Sequence, residues 1–233
     1  MPKLSAAQKR SLAEATSRYH RALDGSPAAA RLAARGLIEA AGPFRLGYVR
    51  DPLPEHEQYR GMLSIPYLRR SPSGWSVVSI RFGCVVDGCT HDYHGKYNTV
   101  AGDPPRLFNT LALQADTDTI AVCEGELDAI SAEVCGVRAV GVPGVESWKP
   151  HFRLPFLGYE TVFVLADNDI PKFYDGCPKC KGRCRGHNPG MEFAARMAKE
   201  LQNVKILPSA PGEDVNSEMI QHGRDYIRRK VIG

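Results

Sequence analysis

Four short apolar runs, at 119–123, 138–142, 161–166 and 204–207, alternate with helix-like segments at 126–134, 191–201 and 217–230. The runs are continuously apolar rather than alternating, the pattern of strands covered on both faces. Strands of that kind separated by helices predict a mostly parallel sheet flanked by helices. In such a sheet the functional residues gather just beyond the carboxyl ends of the strands. The acidic residues of the chain fall at those positions.

Glu124 follows directly on the strand TIAVC, and Asp128 comes four residues later at the start of a helix. That spacing places Asp128 on the face that points back at the strand end. Asp167 and Asp169 follow TVFVLA in the run Ala-Asp-Asn-Asp, and Glu213 and Asp214 follow VKIL after a Pro/Gly turn. Any one of these acids can be a helix cap or a solvated loop residue. As a set at one sheet edge they repel one another unless cations are bound. Hard divalent ions with oxygen ligands, Mg²⁺ or Mn²⁺, fit such a set, and phosphate is the matching substrate class.

The first half of the chain has a different texture. A helix is predicted over 4–23. A second begins at Ser26-Pro27 and runs from 28 to 41, where Gly42-Pro43 stops it. Short β-like runs follow at 62–67, 75–82 and 107–109, with a turn at Ser71-Pro-Ser-Gly. Residues 1–110 carry 15 Lys/Arg against 9 Asp/Glu, a net +6, which leaves −2 for the remainder of a chain of net +4. A basic half beside an acidic half suits an enzyme that grips a polyanion and holds cations, although a split of this size also arises by chance. With 43% hydrophobic and 24% charged residues, the composition is that of a globular protein. No apolar run approaches the roughly 20 residues of a membrane span, and the N-terminus lacks a signal-peptide core, so a cytoplasmic protein without a membrane partner is expected.

Five of the seven cysteines lie in two clusters with histidine. Cys177, Cys180, Cys184 and His187 form C-x2-C-x3-C-x2-H in the run CPKCKGRCRGH; Cys84, Cys89, His91 and His94 form the looser C-x4-C-x-H-x2-H. Outside a secretory context such spacing reads as zinc before disulfide. For the first set the alternative is a reduced loop without metal. For the second, His91 or His94 can instead contact nucleic acid, and the two sets can also share a single ion.

Several segments resemble the DnaG-type bacterial and phage DNA primases, whose catalytic core contains a Toprim domain. EGELDAI (124–130) resembles the Toprim glutamate motif, LADND (165–169) its Asp-x-Asp motif, and PSAPGEDVNS (208–217) the Gly-Glu-Asp segment of these primases. In the first half, ARGLIEAAGPFRLGYV resembles their RGL…F.LGY signature, RGMLSIPYL and VVSIRF their first two strands, and GKYNT with RLFN their KY.N…LF segment. The likeness runs through residues 30–225 in the family's order.

The resemblance implies an α/β fold, with a C-terminal Toprim domain (111–233; a mostly parallel sheet flanked by helices) preceded by a basic helical and mixed α+β primase subdomain (1–110). It implies a nucleotidyltransferase, a DNA-directed RNA polymerase that makes short RNA primers on single-stranded DNA from ribonucleoside triphosphates with Mg²⁺ or Mn²⁺. Glu124 becomes the catalytic glutamate, acting as metal ligand or general acid–base; Asp167 and Asp169 become catalytic residues and the principal metal ligands, with Asp128 and Asp214 supporting. Lys96 joins the catalytic residues and, with Arg60, Arg81 and Asn98, matches positions that face template, nucleotide or triphosphate. Asn216 stands where the family often has a further Asp, which weakens or removes one secondary ligand. The Cys/His insertion at 170–188 departs from the family; as a zinc knuckle it would stiffen a loop beside the acidic residues and offer Lys179, Lys181, Arg183 and Arg185 to nucleic acid. A replicative helicase or a separate zinc-ribbon protein is the further partner implied, and the compactness suggests a phage or mobile-element replication protein in the bacterial cytoplasm. Two rival readings share the same residues: a Toprim nuclease, and a non-catalytic single-strand-binding accessory protein.

Overall fold

The computed structural model describes residues 4–71, 74–86, 89–144, 147–173, 175–177 and 179–233. It divides into two compact units, one of residues 1–104 with 109–111, the other of residues 105–108 with 112–233.

The first unit opens with helix α1 (Ala6–Arg21), started by a reciprocal cap in which the Gln8 amide donates to Ser5 Oγ and the Ser5 amide to Gln8 Oε1. Helix α2 (Pro27–Ala34) is capped by Ser26 with Pro27 in its first turn, as its sequence predicts. It stops earlier than expected, at Gly36, whose φ of +64° no helix accommodates. Gly42-Pro43 does not end it but lies within a separate single turn, α3 (Ala41–Phe44), where proline's missing amide hydrogen has no partner to lose.

Four antiparallel strands follow in spatial order: β1 (Gly47–Tyr48), β2 (Leu63–Ser71), β3 (Gly74–Gly83) and β4 (Tyr97–Thr99). The two expected strands are β2 and β3. Pro72 and Ser73 of the expected turn lie outside the described residues. β1 and β4 have two and three residues, too few for a period to show in sequence. The run 107–109 makes only an isolated bridge from Phe108 to Gly141. A core of Tyr19, Tyr59, Met62, Val77, Ile80 and Phe82 closes this unit, with Tyr59 and Phe82 stacked at 4.0 Å.

In the second unit β5 (Thr119–Cys123), β6 (Ala139–Gly141), β7 (Thr161–Ala166) and β8 (Val204–Pro208) form one parallel sheet in the order β6-β5-β7-β8. Helices α4 (Glu126–Val134), α5 (Pro189–Glu200), α6 (Val215–His222) and α7 (Arg224–Ile232) connect or follow its strands. Ile120, Val122, Val162, Val164, Phe193 and Met197 are all but completely buried, each stabilising the fold by roughly 1.5–3 kcal/mol. The expected single helix over 217–230 is two helices, parted at Gly223 with φ +84°. No described helix is long and apolar enough to cross a membrane.

Candidate active site

β5 and β7 are neighbours with Cys123 opposite Leu165, so the residues that follow each strand emerge side by side. Glu124 is the first residue beyond β5 and Asp167 the first beyond β7. Gly125 caps α4, and the Asp128 carboxylate in its first turn folds back so closely that a methyl group on Gly125 would sit 3.0 Å from it. Glu124 Oε1 and Asp167 Oδ1 are both excluded from solvent and have no hydrogen-bond partner.

Electrostatics ties the set together. Burial first, then the carboxylates of Asp128 and Asp169, push Glu124 up to about 8. Burial, then Asp128, Glu124, Asp214 and Asp169, push Asp167 up to about 9. A hydrogen bond from the Asp167 backbone only partly offsets this for Glu124, so at neutral pH these half-buried acids, each with one oxygen excluded from solvent and unpartnered, are driven to keep a proton or gain a cation. The orphaned oxygens, beside the carboxylates of Asp128, Asp169 and Asp214, suit a hard divalent ion such as Mg²⁺ or Mn²⁺. Asp214 has a second task, because its carboxylate accepts the Ser217 amide at 2.7 Å and caps α6.

Asn216 lies in the first turn of α6, buried, and its Nδ2 donates to Ser131 Oγ of α4 at 3.0 Å. Its role here is to clamp two helices.

Three residues that bear on the site went unnoticed in the sequence. Asn168, between the two aspartates, uses all its polar groups: its amide donates to Glu213 O (3.0 Å), its carbonyl accepts from Gly212 N (2.6 Å), its Nδ2 donates to Ser209 O (3.0 Å), and its Oδ1 accepts from Asn188 Nδ2 (2.9 Å). Asn188 caps α5 through the Met191 amide. Gly190 brings that helix against the strand ends; a Cβ there would collide with the Asp167 carbonyl oxygen and come within 2.6 Å of Glu124 Oε1. The run Asn-Pro-Gly at 188–190 reads as a helix start, which was its only sequence signal.

Each Cys/His set closes on itself, with its four donor atoms within 4.8 Å of one another. His187 Nε2 is 3.1 Å from Cys177 Sγ and 3.5 Å from Cys180 Sγ. In the other set, His91 Nδ1 is 3.0 Å from Cys89 Sγ and 3.7 Å from Cys84 Sγ, and His94 Nδ1 is 3.8 Å from Cys89 Sγ. Donors around a tetrahedral zinc lie about 3.3–3.8 Å apart, given bond lengths of about 2.0–2.3 Å, so either set can hold a zinc ion without the other. Backbone amides support the sulfurs: Arg185 N donates to Cys180 Sγ (3.5 Å) and Val86 N to Cys84 Sγ (3.4 Å). Amide hydrogen bonds, that of Cys180 foremost, hold the Cys177 thiol below its usual range. His187 Nδ1 meets Glu192 Oε1 at 2.8 Å, the outer carboxylate that commonly orients a zinc-binding imidazole.

Lys96, Arg60, Arg81 and Asn98 belong to the first unit, whereas Lys179, Lys181, Arg183 and Arg185 lie on the Cys/His insertion of the second. Pairing of β3 with β4 sets Arg81 opposite Thr99 and Gly83 opposite Tyr97. Arg81 and Lys96 both approach the Tyr97 ring, at 5.1 and 5.7 Å. Asn98 Nδ2 donates to Gly95 O at 2.8 Å, steadying the turn that carries Lys96. Arg60 stands apart, exposed, donating to Arg50 O at 2.6 Å.

No family model matches the chain. It is 46% identical over 174 residues to the gene 57 protein of Mycobacterium phage D29, an alignment that covers 74% of this chain and 99% of that protein. Its fold is similar to the RNA polymerase domain of Mycobacterium tuberculosis primase DnaG, with a TM-score of 0.69 and 17% identity over 97% of this chain and 83% of that one. A DnaG primase catalytic domain bound to single-stranded DNA gives a TM-score of 0.63 and 17% identity over 97% and 82%. At these identities the likeness is one of fold: a mixed α/β architecture with one antiparallel and one parallel sheet.

Proposed function

The chain belongs to the family of the gene 57 protein of Mycobacterium phage D29, and we propose that it is a DnaG-type primase core that synthesises RNA primers on single-stranded DNA. The observation that carries this reading is the pair of buried, unpartnered oxygens on Glu124 and Asp167 at adjacent parallel strand ends, in a fold shared with primase cores. In this reading residues 111–233 are a Toprim domain and residues 1–110 grip template and nucleotide. The phage relative agrees with a role in phage replication inside the bacterial cytoplasm.

Bound Mg²⁺ or Mn²⁺ supplies the Lewis acidity that activates a primer 3′-hydroxyl and stabilises departing pyrophosphate. Asp167 and Asp169 hold the cations, with Asp128 and Asp214 adding charge. Glu124 completes the ligand set or accepts the hydroxyl proton; a bound cation would offset the neighbouring carboxylates that raise its pKa and leave it ionised for either task. Lys96 and Arg81, gathered at Tyr97, hold triphosphate oxygens; Arg60 and Asn98 serve template or nucleotide. Zinc in each Cys/His set is part of the proposal.

Ribonucleotide incorporation on single-stranded DNA with Mg²⁺ or Mn²⁺ tests it, with Asp167→Asn/Asp169→Asn as the comparison. Template-dependent oligoribonucleotides from the unaltered chain alone are expected. Cleavage of the DNA without incorporation would overturn the reading in favour of a nuclease built on the same carboxylates.

A further inference from the structure

The insertion between the two aspartates and α5 has no apolar interior. Among its described residues from 170 to 187, Cys177 is the one buried side chain, while Ile170 and Phe173 are more than 70% exposed. A segment of this kind cannot hold a shape by burying hydrocarbon, and its centre is the set of four metal donors.

The ends of the insertion are tied to the acidic loop. Lys172 and His187 pair as a two-residue ladder, with Lys172 N donating to His187 O at 2.9 Å and His187 N to Lys172 O at 2.8 Å. This closes the loop three residues after Asp169. The last donor, His187, is followed at once by Asn188, whose Nδ2 holds Asn168 between Asp167 and Asp169. Two residues later Gly190 abuts the Asp167 carbonyl and Glu124 Oε1. Glu192, one turn into α5, fixes the far nitrogen of His187. The donor set is therefore connected to the carboxylates through both strands of the ladder and through the first turn of α5.

We propose that zinc held by Cys177, Cys180, Cys184 and His187 is a brace for the carboxylate loop, so that zinc occupancy sets how tightly Glu124, Asp167 and Asp169 hold a divalent cation. The inference rests on reading those carboxylates as a divalent-cation site. His187 and Asn188 act as positioning residues. The set at Cys84, Cys89, His91 and His94 belongs to the first unit, on the β3–β4 connection, and serves as the comparison.

The test measures zinc content and Mn²⁺ affinity on the folded chain, the first by elemental analysis and the second by calorimetry. The unaltered chain should carry two zinc ions and bind Mn²⁺ in a manner abolished by Asp167→Asn/Asp169→Asn. Cys180→Ser/Cys184→Ser should lose one zinc and weaken Mn²⁺ binding by about tenfold, the usual scale for losing outer support of a metal site. Cys84→Ser/Cys89→Ser should lose the other zinc and leave Mn²⁺ affinity unchanged. Asn188→Ser keeps a helix cap and the zinc but cannot reach Asn168; it should weaken Mn²⁺ binding even if the cysteine variant proves unstable. Wild-type Mn²⁺ affinity in both Cys180→Ser/Cys184→Ser and Asn188→Ser would overturn the brace, as would a 170–187 segment that holds no zinc. Mn²⁺ binding indifferent to Asp167 and Asp169 would instead sink the cation-site reading beneath it.

Discussion

The parallel sheet and the antiparallel sheet collect charge by opposite means. In the parallel sheet β5, β6, β7 and β8 all run the same way, so each following loop emerges at one edge, where Glu124, Asp167, Asp169 and Asp214 accumulate. In the antiparallel sheet successive strands point oppositely, and charges meet by register: β3 paired with β4 brings Arg81 to the ring of Tyr97, which Lys96, the residue before it, also approaches. One arrangement concentrates charge until it is buried and repelling. The other leaves cations half-solvated around an aromatic. Concentrated charge at the first edge suits chemistry, and accessible cations at the second suit grip.

The largest effect should therefore come from the parallel edge and should touch chemistry alone. Asp167→Asn/Asp169→Asn is expected to cut nucleotide incorporation by at least about 10³-fold, the scale of losing a preorganised charge site. Single-stranded DNA affinity should stay unchanged or tighten, because two negative charges are gone. A matching loss of DNA binding would break the division of labour between the sheets.

Lys96→Ala probes the opposite edge. Incorporation efficiency should fall about 10- to 100-fold, chiefly as a raised KM for ribonucleotide, and the salt dependence of nucleic-acid binding should lose about one unit of slope. Were kcat to fall instead at saturating nucleotide, Lys96 would belong with the chemistry.

What could be read from sequence follows the same divide. Parallel strands buried on both faces leave unbroken apolar runs, and the boundaries of β5, β7 and α4 were readable to the residue. The acids stood out because each directly follows such a run. β1 and β4 were invisible, since two or three residues show no period and register is a property of two strands at once. Gly36 and Gly223 ended helices through positive φ, which composition does not distinguish from a tolerated interior glycine. Asn168, Asn188 and Gly190 were missed because their importance lies in what they touch: a carbonyl, a cap and a carboxylate brought together by the fold.

The buried acids also make stability depend on pH with a definite sign. In the unfolded chain Glu124 and Asp167 release their protons near the ordinary carboxylate values, whereas in the folded, metal-free chain they hold them up to about 8 and about 9. Between those limits the unfolded state binds fewer protons, so stability falls as pH rises. Metal-free protein should lose about 5–10 °C in Tm between about pH 6 and about pH 8.5, and Asp167→Asn should flatten that slope. Saturating Mg²⁺ should flatten it too, by supplying the charge that the protons otherwise supply. A Tm that rises over this range would mean the two carboxylates are paired rather than orphaned.

The smallest effect on the metal site is expected from Asn216→Asp, although it adds an acid where the primase motif that the sequence resembles often carries one. Asn216 is buried with its Nδ2 aimed at Ser131 Oγ, which in turn donates to Leu127 O. A carboxylate there removes the donor and leaves Ser131 to choose between two acceptors, at a cost of about 1–3 kcal/mol in stability. It would face α4 rather than Glu124 and Asp167, so Mn²⁺ affinity should stay within about twofold. Tighter Mn²⁺ binding would show that α6 can turn its first residues toward the strand ends, and would add a second acid from that helix beside Asp214. Unchanged affinity with a lower Tm would leave Asp214 as the one acid that the start of α6 gives to the edge.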